Sequence, residues 1–96
     1  MPIYRVIIEG RDFPGRMFDE PGKRFGFFAA RWCEADDERA AELDVVDALR
    51  VEYRDAVMPL REGELTPSLH LDEIEQVEAF PAEYPSTGAA WFPIED

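Results

Sequence analysis

Residues 25–34, FGFFAARWCE, run directly into residues 35–55, ADDERAAELDVVDALRVEYRD, and the repeat of the apolar positions changes at that junction. In the first stretch, aromatic and small apolar side chains alternate between two faces, which is typical of a β-strand. In the second stretch, apolar side chains recur every three to four positions, as in an amphipathic helix. The change of period therefore predicts a strand that leads straight into a helix.

The helix is expected to run from about Asp37 to Asp55. An aspartate at its start caps free backbone amides, and further carboxylates there suit the positive end of the helix dipole. Pro59 lacks an amide hydrogen and prevents continuation of the helix. The stripe expected to pack on a sheet recurs at helical spacing and consists of Ala41, Val45, Ala48, Leu49, Tyr53 and Ala56.

Other segments are expected to complete the sheet. Residues 3–9 alternate as a first strand, and residues 11–24, with two Pro-Gly pairs, predict a wide hairpin connection. Residues 69–78 fit a strand or a short helix; we favour a strand, bulged near Asp72 and Glu73, because a two-stranded sheet is marginal. Residues 81–96 are expected to form an extended, docked C-terminal segment, with a candidate short strand at 89–92.

These segments predict a single α+β domain over residues 1–96. Its antiparallel sheet has three to four strands in the chain order β-β-α-β, with one long helix packed on one face. One helix covers only one face, whereas the chain contains seven Phe, two Trp and three Tyr. We therefore expect the C-terminal segment or a second copy of the chain to cover the other face, and we predict a homodimer.

The formal net charge of −12 is unevenly distributed. Residues 1–33 carry six basic and four acidic groups, a net of +2, and residues 34–96 carry four basic and eighteen acidic groups, a net of −14. Such a surface repels phosphates, which disfavours binding to nucleic acid or anionic membranes. The single cysteine, the lack of an apolar run near ~20 residues and an N-terminal stretch without the features of a signal peptide predict a cytoplasmic protein.

Little in the sequence suggests catalysis or metal binding. One cysteine and one histidine, Cys33 and His70, are too few for a zinc site, although neighbouring strands could bring them together as a nucleophilic pair. The acidic runs at 36–38 and 72–75 lack the spacing of a calcium loop, and the glycines follow no nucleotide-binding pattern. We therefore expect no enzyme activity, catalytic residue, metal or cofactor.

The candidate partner-binding residues form an acidic and a basic group. The acidic group lies on the outward side of the predicted helix and consists of Glu38, Glu42, Asp44 and Asp47. The basic group lies on the hairpin connection, beside aromatic residues, and consists of Arg11, Arg16 and Arg24. Arginines beside aromatics are typical of contact surfaces; alternatively, they pair with the domain's own acids.

The expected function is that of a small acidic interaction module, a binder, inhibitor or immunity- or antitoxin-like partner of a basic protein. The alternatives are a self-associating structural or regulatory homodimer and an acidic surface that serves solubility alone.

Three stretches of the chain carry a resemblance: YRVIIEG at 4–10, GFF at 26–28 together with RWCEA at 31–35, and WFP at 91–93. They resemble a group of small bacterial proteins that have no assigned activity, so the resemblance implies no site residue. The chain is also loosely similar to HicB-type antitoxins, which likewise place two strands before an acid-capped helix. It departs from them in having no Pro-Gly-Cys turn ahead of the helix.

Overall fold

A computed structural model describes residues 1–84 and 87–95 of the chain. The strands are β1 (Ile3–Pro14), β2 (Arg24–Glu34), β3 (Ser68–Val77) and β4 (Ala90–Ile94), and the helix α1 is Glu38–Leu49. The strands form one antiparallel sheet in the order β3-β1-β2-β4, and α1 packs on one face. The predicted α+β class is confirmed. The predicted β-β-α-β order needs correction, because a fourth strand follows β3.

The hairpin of β1 and β2 forms the centre of the sheet. Its register pairs Tyr4 with Cys33 and Gly10 with Phe27. A Cβ atom on Gly10 would lie 2.1 Å from the Phe27 ring, so only glycine fits where that ring crosses the neighbouring strand. The register then shifts between Gly10 and Phe13, where Asp12 adopts a left-handed φ of 62°. This bulge keeps Phe13 buried on the helix side of the sheet, as Phe27 is.

Helix α1 begins as predicted, but it ends earlier. The Asp37 side chain accepts a hydrogen bond from the Ala40 amide at 2.8 Å, which confirms the aspartate cap. After Leu49 the chain forms a π-helical turn, Arg50–Arg54, and a 3-10 turn, Asp55–Val57. The wider π turn changes the phase of the following residues. For that reason Ala56 is exposed and Val57 is buried, contrary to the predicted stripe.

Three members of the predicted stripe, Ala41, Val45 and Leu49, are buried against the sheet. Tyr53 is half-buried, and its ring centroid lies 5.1 Å from that of Phe27. Ala48 is exposed, although it was expected to be buried, because its side of the helix does not reach the sheet and borders a groove described below.

The ambiguous segment at 69–78 is a strand, as we favoured. β3 pairs antiparallel with β1, and the pairing passes from Ile7↔Glu73 to Ile8↔Leu71. Asp72 is therefore the extra residue of a bulge, which confirms the predicted irregularity. β3 lies at one edge of the sheet, and the carboxylates of this edge disfavour pairing with another strand.

The C-terminal segment adds β4 to the other side of the sheet. It pairs with β2 from Arg24↔Ile94 to Phe28↔Ala90. Trp91 packs on the helix side, with its ring centroid 4.9 Å from that of Phe27 and 5.5 Å from that of Phe13. Residues 85, 86 and 96 of the predicted docked segment lie outside the described residues.

Candidate functional site

An open groove lies where α1 and β2 diverge. β2 extends to Glu34, whereas its pairing with β4 stops at Phe28. The groove follows this section of β2 and has a volume of about 390 Å³. Its lining comes from the end of β2, from one side of the helix, and from the C-terminal segment at Tyr84 and Thr87. Three separate parts of the chain therefore build it.

Arg31 forms the polar base of the groove. The alternation along β2 that points Phe27 and Ala29 toward the helix also points Arg31 there, and only 6% of its surface is exposed. Its guanidinium donates hydrogen bonds to Glu52 Oε2 at 2.9 Å, to the Gly88 carbonyl at 2.9 Å and to the Ala30 carbonyl at 3.0 Å. A buried cation requires such compensation, because it has lost its hydration.

Glu52 reaches Arg31 from the π-helical turn that follows α1. Its second carboxylate oxygen accepts the Gly88 amide at 3.1 Å. The charge of Arg31 is thus neutralised within the domain. Arg31 and Glu52 also hold the C-terminal segment at Gly88, Arg31 through its carbonyl and Glu52 through its amide. No ligand charge is needed to satisfy this pair.

The walls of the groove are apolar. Ala48 and Val51 both lie on the groove side of the helical segment, and Val51 is 71% exposed. On the opposite wall the ring centroids of Trp32 and Tyr84 lie 6.0 Å apart. An exposed valine beside an aromatic pair gives the groove a contact surface for an apolar side chain.

Asp44 supplies the charge at the rim. It is exposed, it lines the groove one helical turn before Ala48, and it forms no ion pair within residues 1–84 and 87–95. Burial, and secondarily the Asp44 carboxylate, raise the pKa of the Cys33 thiol above 9.0. Burial and then Glu52 likewise raise the pKa of Tyr53, against the opposing effect of Arg31. The Asp44 carboxylate at the rim therefore attracts a cation and repels an anion.

The four predicted acidic residues do not form one cluster. Asp44 lies in the groove, whereas Glu38 is at the start of α1 and Glu42 is half-buried on another flank. Asp47 forms an exposed ion pair with Arg50 at 3.3 Å. Their helical spacing explains the spread: Glu38 and Glu42, four residues apart, share one side of α1, whereas Asp44 and Asp47, three residues apart, share another.

The three predicted arginines contact acids of the domain itself. Arg11 pairs with Glu9 at 2.7 Å, and Arg24 pairs with Asp12. Arg16 is held most firmly, because its guanidinium contacts both carboxylate oxygens of Glu64, at 2.7 and 3.1 Å. It also donates to the Val57 carbonyl at 2.6 Å. The Arg16 hydrogen bonds, followed by that from the Arg61 amide, lower the pKa of Glu64.

The geometry does not support the nucleophilic pair considered above. Cys33 lies opposite Tyr4 and His70 opposite Glu9. Five residues along a strand separate the two positions by about 17 Å, and they lie on opposite faces of the sheet. Within the residues that the structure describes, no group of three His, Cys, Asp or Glu side chains is arranged to hold a metal ion.

Sequence reasoning missed the two groups that organise the groove, Arg31 and Glu52. One signal was available in the sequence. Arg31 occupies a position in β2 at which the alternation directs side chains toward the helix. Such a position predicts a buried cation that needs an acidic partner. The identity of that partner was not predictable, because the π turn determines where Glu52 points.

Comparison of the chain with family models, curated proteins and solved structures finds no match. The resemblances described above therefore stay predictions. Among the described residues, no helix combines the length and the apolar character that crossing a bilayer requires.

Proposed function

We propose that the protein is a small acidic interaction module that binds a basic segment of a partner protein, with an apolar side chain of that segment seated in the groove. The observation that carries the proposal is the combination, in one place, of apolar walls with the rim carboxylate of Asp44. Among the residues that line the groove, those expected to contact the segment are Trp32, Asp44, Ala48, Val51 and Tyr84. The proposal assigns no catalytic residue, and it places the protein in the cytoplasm.

The size of the groove suits one large side chain. Its volume of about 390 Å³ falls within the 300–1,000 Å³ that is usual for ligand sites. An aromatic side chain buries roughly 150–250 Å², which at ~25 cal/mol per Å² is worth about 4–6 kcal/mol before the costs of association. One such anchor supplies a substantial part of the affinity of an interface.

The charge of the domain favours a basic partner. Counting ion pairs among residues 1–84 and 87–95, seven of the ten Lys and Arg side chains form one, namely Arg5, Arg11, Arg16, Lys23, Arg24, Arg31 and Arg50. The remaining surface charge is strongly negative, since Asp and Glu number 22. Long-range attraction would bring a basic segment to the acidic helix, and the groove would then fix its position.

Two peptides of equal length and charge test the proposal by an NMR titration of the ¹⁵N-labelled protein. One alternates lysine with phenylalanine, and the other alternates lysine with serine. We expect the first to shift the amides of residues 31–33 and 44–52 at saturable concentrations. The second should bind at least about tenfold more weakly, because it lacks the apolar anchor. No binding of either peptide would overturn the proposal.

The charge contribution is tested with the four acidic candidates. Neutralising them together as Glu38→Gln, Glu42→Gln, Asp44→Asn and Asp47→Asn should slow association of the lysine–phenylalanine peptide and flatten its salt dependence. A matched control replaces acids remote from the groove, Glu73→Gln, Glu75→Gln, Glu78→Gln and Asp72→Asn, and changes the net charge equally. If the two variants slow association of the peptide equally, only the total charge of the domain matters, and the position of the acids on the helix does not.

A further inference from the structure

The face of the sheet opposite α1 has an apolar half that residues 1–84 and 87–95 leave without a covering layer, except at Trp32, whose ring packs against Tyr84. The side chains there alternate with those that face the helix, and the apolar ones away from Trp32 include Ile3, Ile7, Phe28, Ala30 and Phe92, of which Phe28 is exposed and the others are half-buried. Phe28 is 41% exposed, and its ring centroid lies 5.4 Å from that of Phe92. A contiguous apolar face of this kind marks an interaction site.

The domain is elongated, with principal-axis extents of 44 × 21 × 21 Å. The radius of gyration is 14.4 Å, whereas a compact chain of 96 residues has one of about 12.5 Å. The accessible surface is 6057 Å², compared with roughly 5600 Å² expected for a monomer of 11.0 kDa. The elongation accounts for the larger radius of gyration, and the additional accessible surface agrees with a sheet face that is only partly covered.

The charged half of the same face is mostly neutralised within the domain. Arg5 on β1 lies 3.2 Å from Glu75 and 3.8 Å from Glu73 on β3, measured from its Nη1 atom to the carboxylate oxygens. Arg11 similarly pairs with Glu9. The acids of α1, in contrast, are on the other side of the sheet. Two copies brought together through this face would keep their acidic helices apart.

We propose that a second copy of the chain covers this face, so that the protein is a two-fold symmetric dimer with one groove on each outer side. The four strands contain 12, 11, 10 and 5 residues, and at ~3.3 Å per residue and ~4.8 Å between strands they present a flat area of roughly 600 Å². Because side chains project from the sheet, the accessible area of such a face is larger than its flat area. It approaches the ~800 Å² that each partner buries in a standard interface. A two-fold axis makes the contact self-complementary, with Phe28 and Phe92 of both copies at its centre.

The dimer has a salt dependence opposite in sign to that of the proposed partner binding. Each copy carries a net charge of −12, so the two copies repel one another. Salt screens that repulsion, because the Debye length falls from about 14 Å at 0.05 M to about 4 Å at 0.5 M. Dimer affinity should therefore rise with salt, while the attraction of a basic segment weakens.

Sedimentation equilibrium of the full chain tests the proposal. We expect a mass of about 22 kDa, twice the 11.0 kDa chain, at concentrations of about 50 µM in 0.5 M NaCl. Phe28→Lys should weaken the dimer at least about tenfold. Ala30→Arg places a charge on the same face from a different position, and it decides the matter if the first variant fails to fold. Val51→Lys, which adds the same charge on the helix side, should leave the dimer intact.

Three results would overturn the proposal. The first is an 11.0 kDa species alone at every concentration and salt. The second is a dimer that neither Phe28→Lys nor Ala30→Arg weakens, since the contact would then lie at a strand edge. The third is an equal loss of the dimer in Val51→Lys. None of these results bears on the peptide titration, which reports the groove on the opposite side.

Discussion

Arg31 on β2 and Glu52 on the π-helical turn hold the same residue of the C-terminal segment from two sides. Arg31 donates to the carbonyl of Gly88 at 2.9 Å, and Glu52 accepts its amide at 3.1 Å, while the two side chains pair with each other at 2.9 Å. The π-helical turn thus positions the Glu52 carboxylate that the buried Arg31 requires. The two side chains form the base of the groove.

Glu52→Ala should lower the free energy of unfolding by about 2–4 kcal/mol, because it leaves the charge of Arg31 buried without its partner. The matched control, Asp47→Ala, removes the acid of the exposed pair with Arg50 and should cost less than about 0.5 kcal/mol. Urea denaturation measures both. Equal losses in the two variants would show that burial does not distinguish the pairs.

Leu49→Ala should destabilise the domain by about 2–4 kcal/mol through the cavity that it leaves, since Leu49 is fully buried at the end of α1. Leu43→Ala makes the same truncation on the exposed side of the helix and should cost less than about 0.5 kcal/mol. Thermal or chemical unfolding of the two variants checks the packing direction of the helix. A loss of less than about 0.5 kcal/mol for Leu49→Ala would contradict it.

Glu64 should make a pH-dependent contribution to stability. Its pKa is lowered below 4.5 in the folded chain, chiefly by the hydrogen bonds from Arg16. The folded state therefore favours the ionised carboxylate, and the stabilisation is present above the unfolded pKa and disappears as the pH falls through the folded pKa. The difference in unfolding free energy between the wild type and Glu64→Gln should shrink between pH 6 and pH 3. A difference that is constant over this range would refute the assignment.

Local signals explain why much of the fold was predictable. The Asp37 cap, the alternation in β2 and the apolar spacing of α1 each depend on neighbours in the sequence. The bulge at Asp72 was also accessible, because the apolar positions of β3 change phase there. Each of these features is encoded within a few residues, and the structure contains each of them.

The groove was not predictable, because it arises from tertiary geometry. Helical spacing placed Ala48 in the buried stripe, but α1 diverges from β2 on that side and leaves the residue exposed. The π turn that moves Glu52 toward Arg31 has no marker in the sequence. Asp44 was selected as one of four outward acids, and only the structure distinguishes it as the member that lines the groove.

The affinity of the lysine–phenylalanine peptide for Ala48→Trp tests the role of the groove most directly, because an indole at that position fills the space in which the anchor is expected to lie. Isothermal calorimetry should show a loss of at least about tenfold in affinity. Leu43→Trp adds the same side chain on the exposed side of α1 and should bind like the wild type. Unchanged affinity in Ala48→Trp would contradict the account, since the peptide would then bind the acidic surface without using the groove.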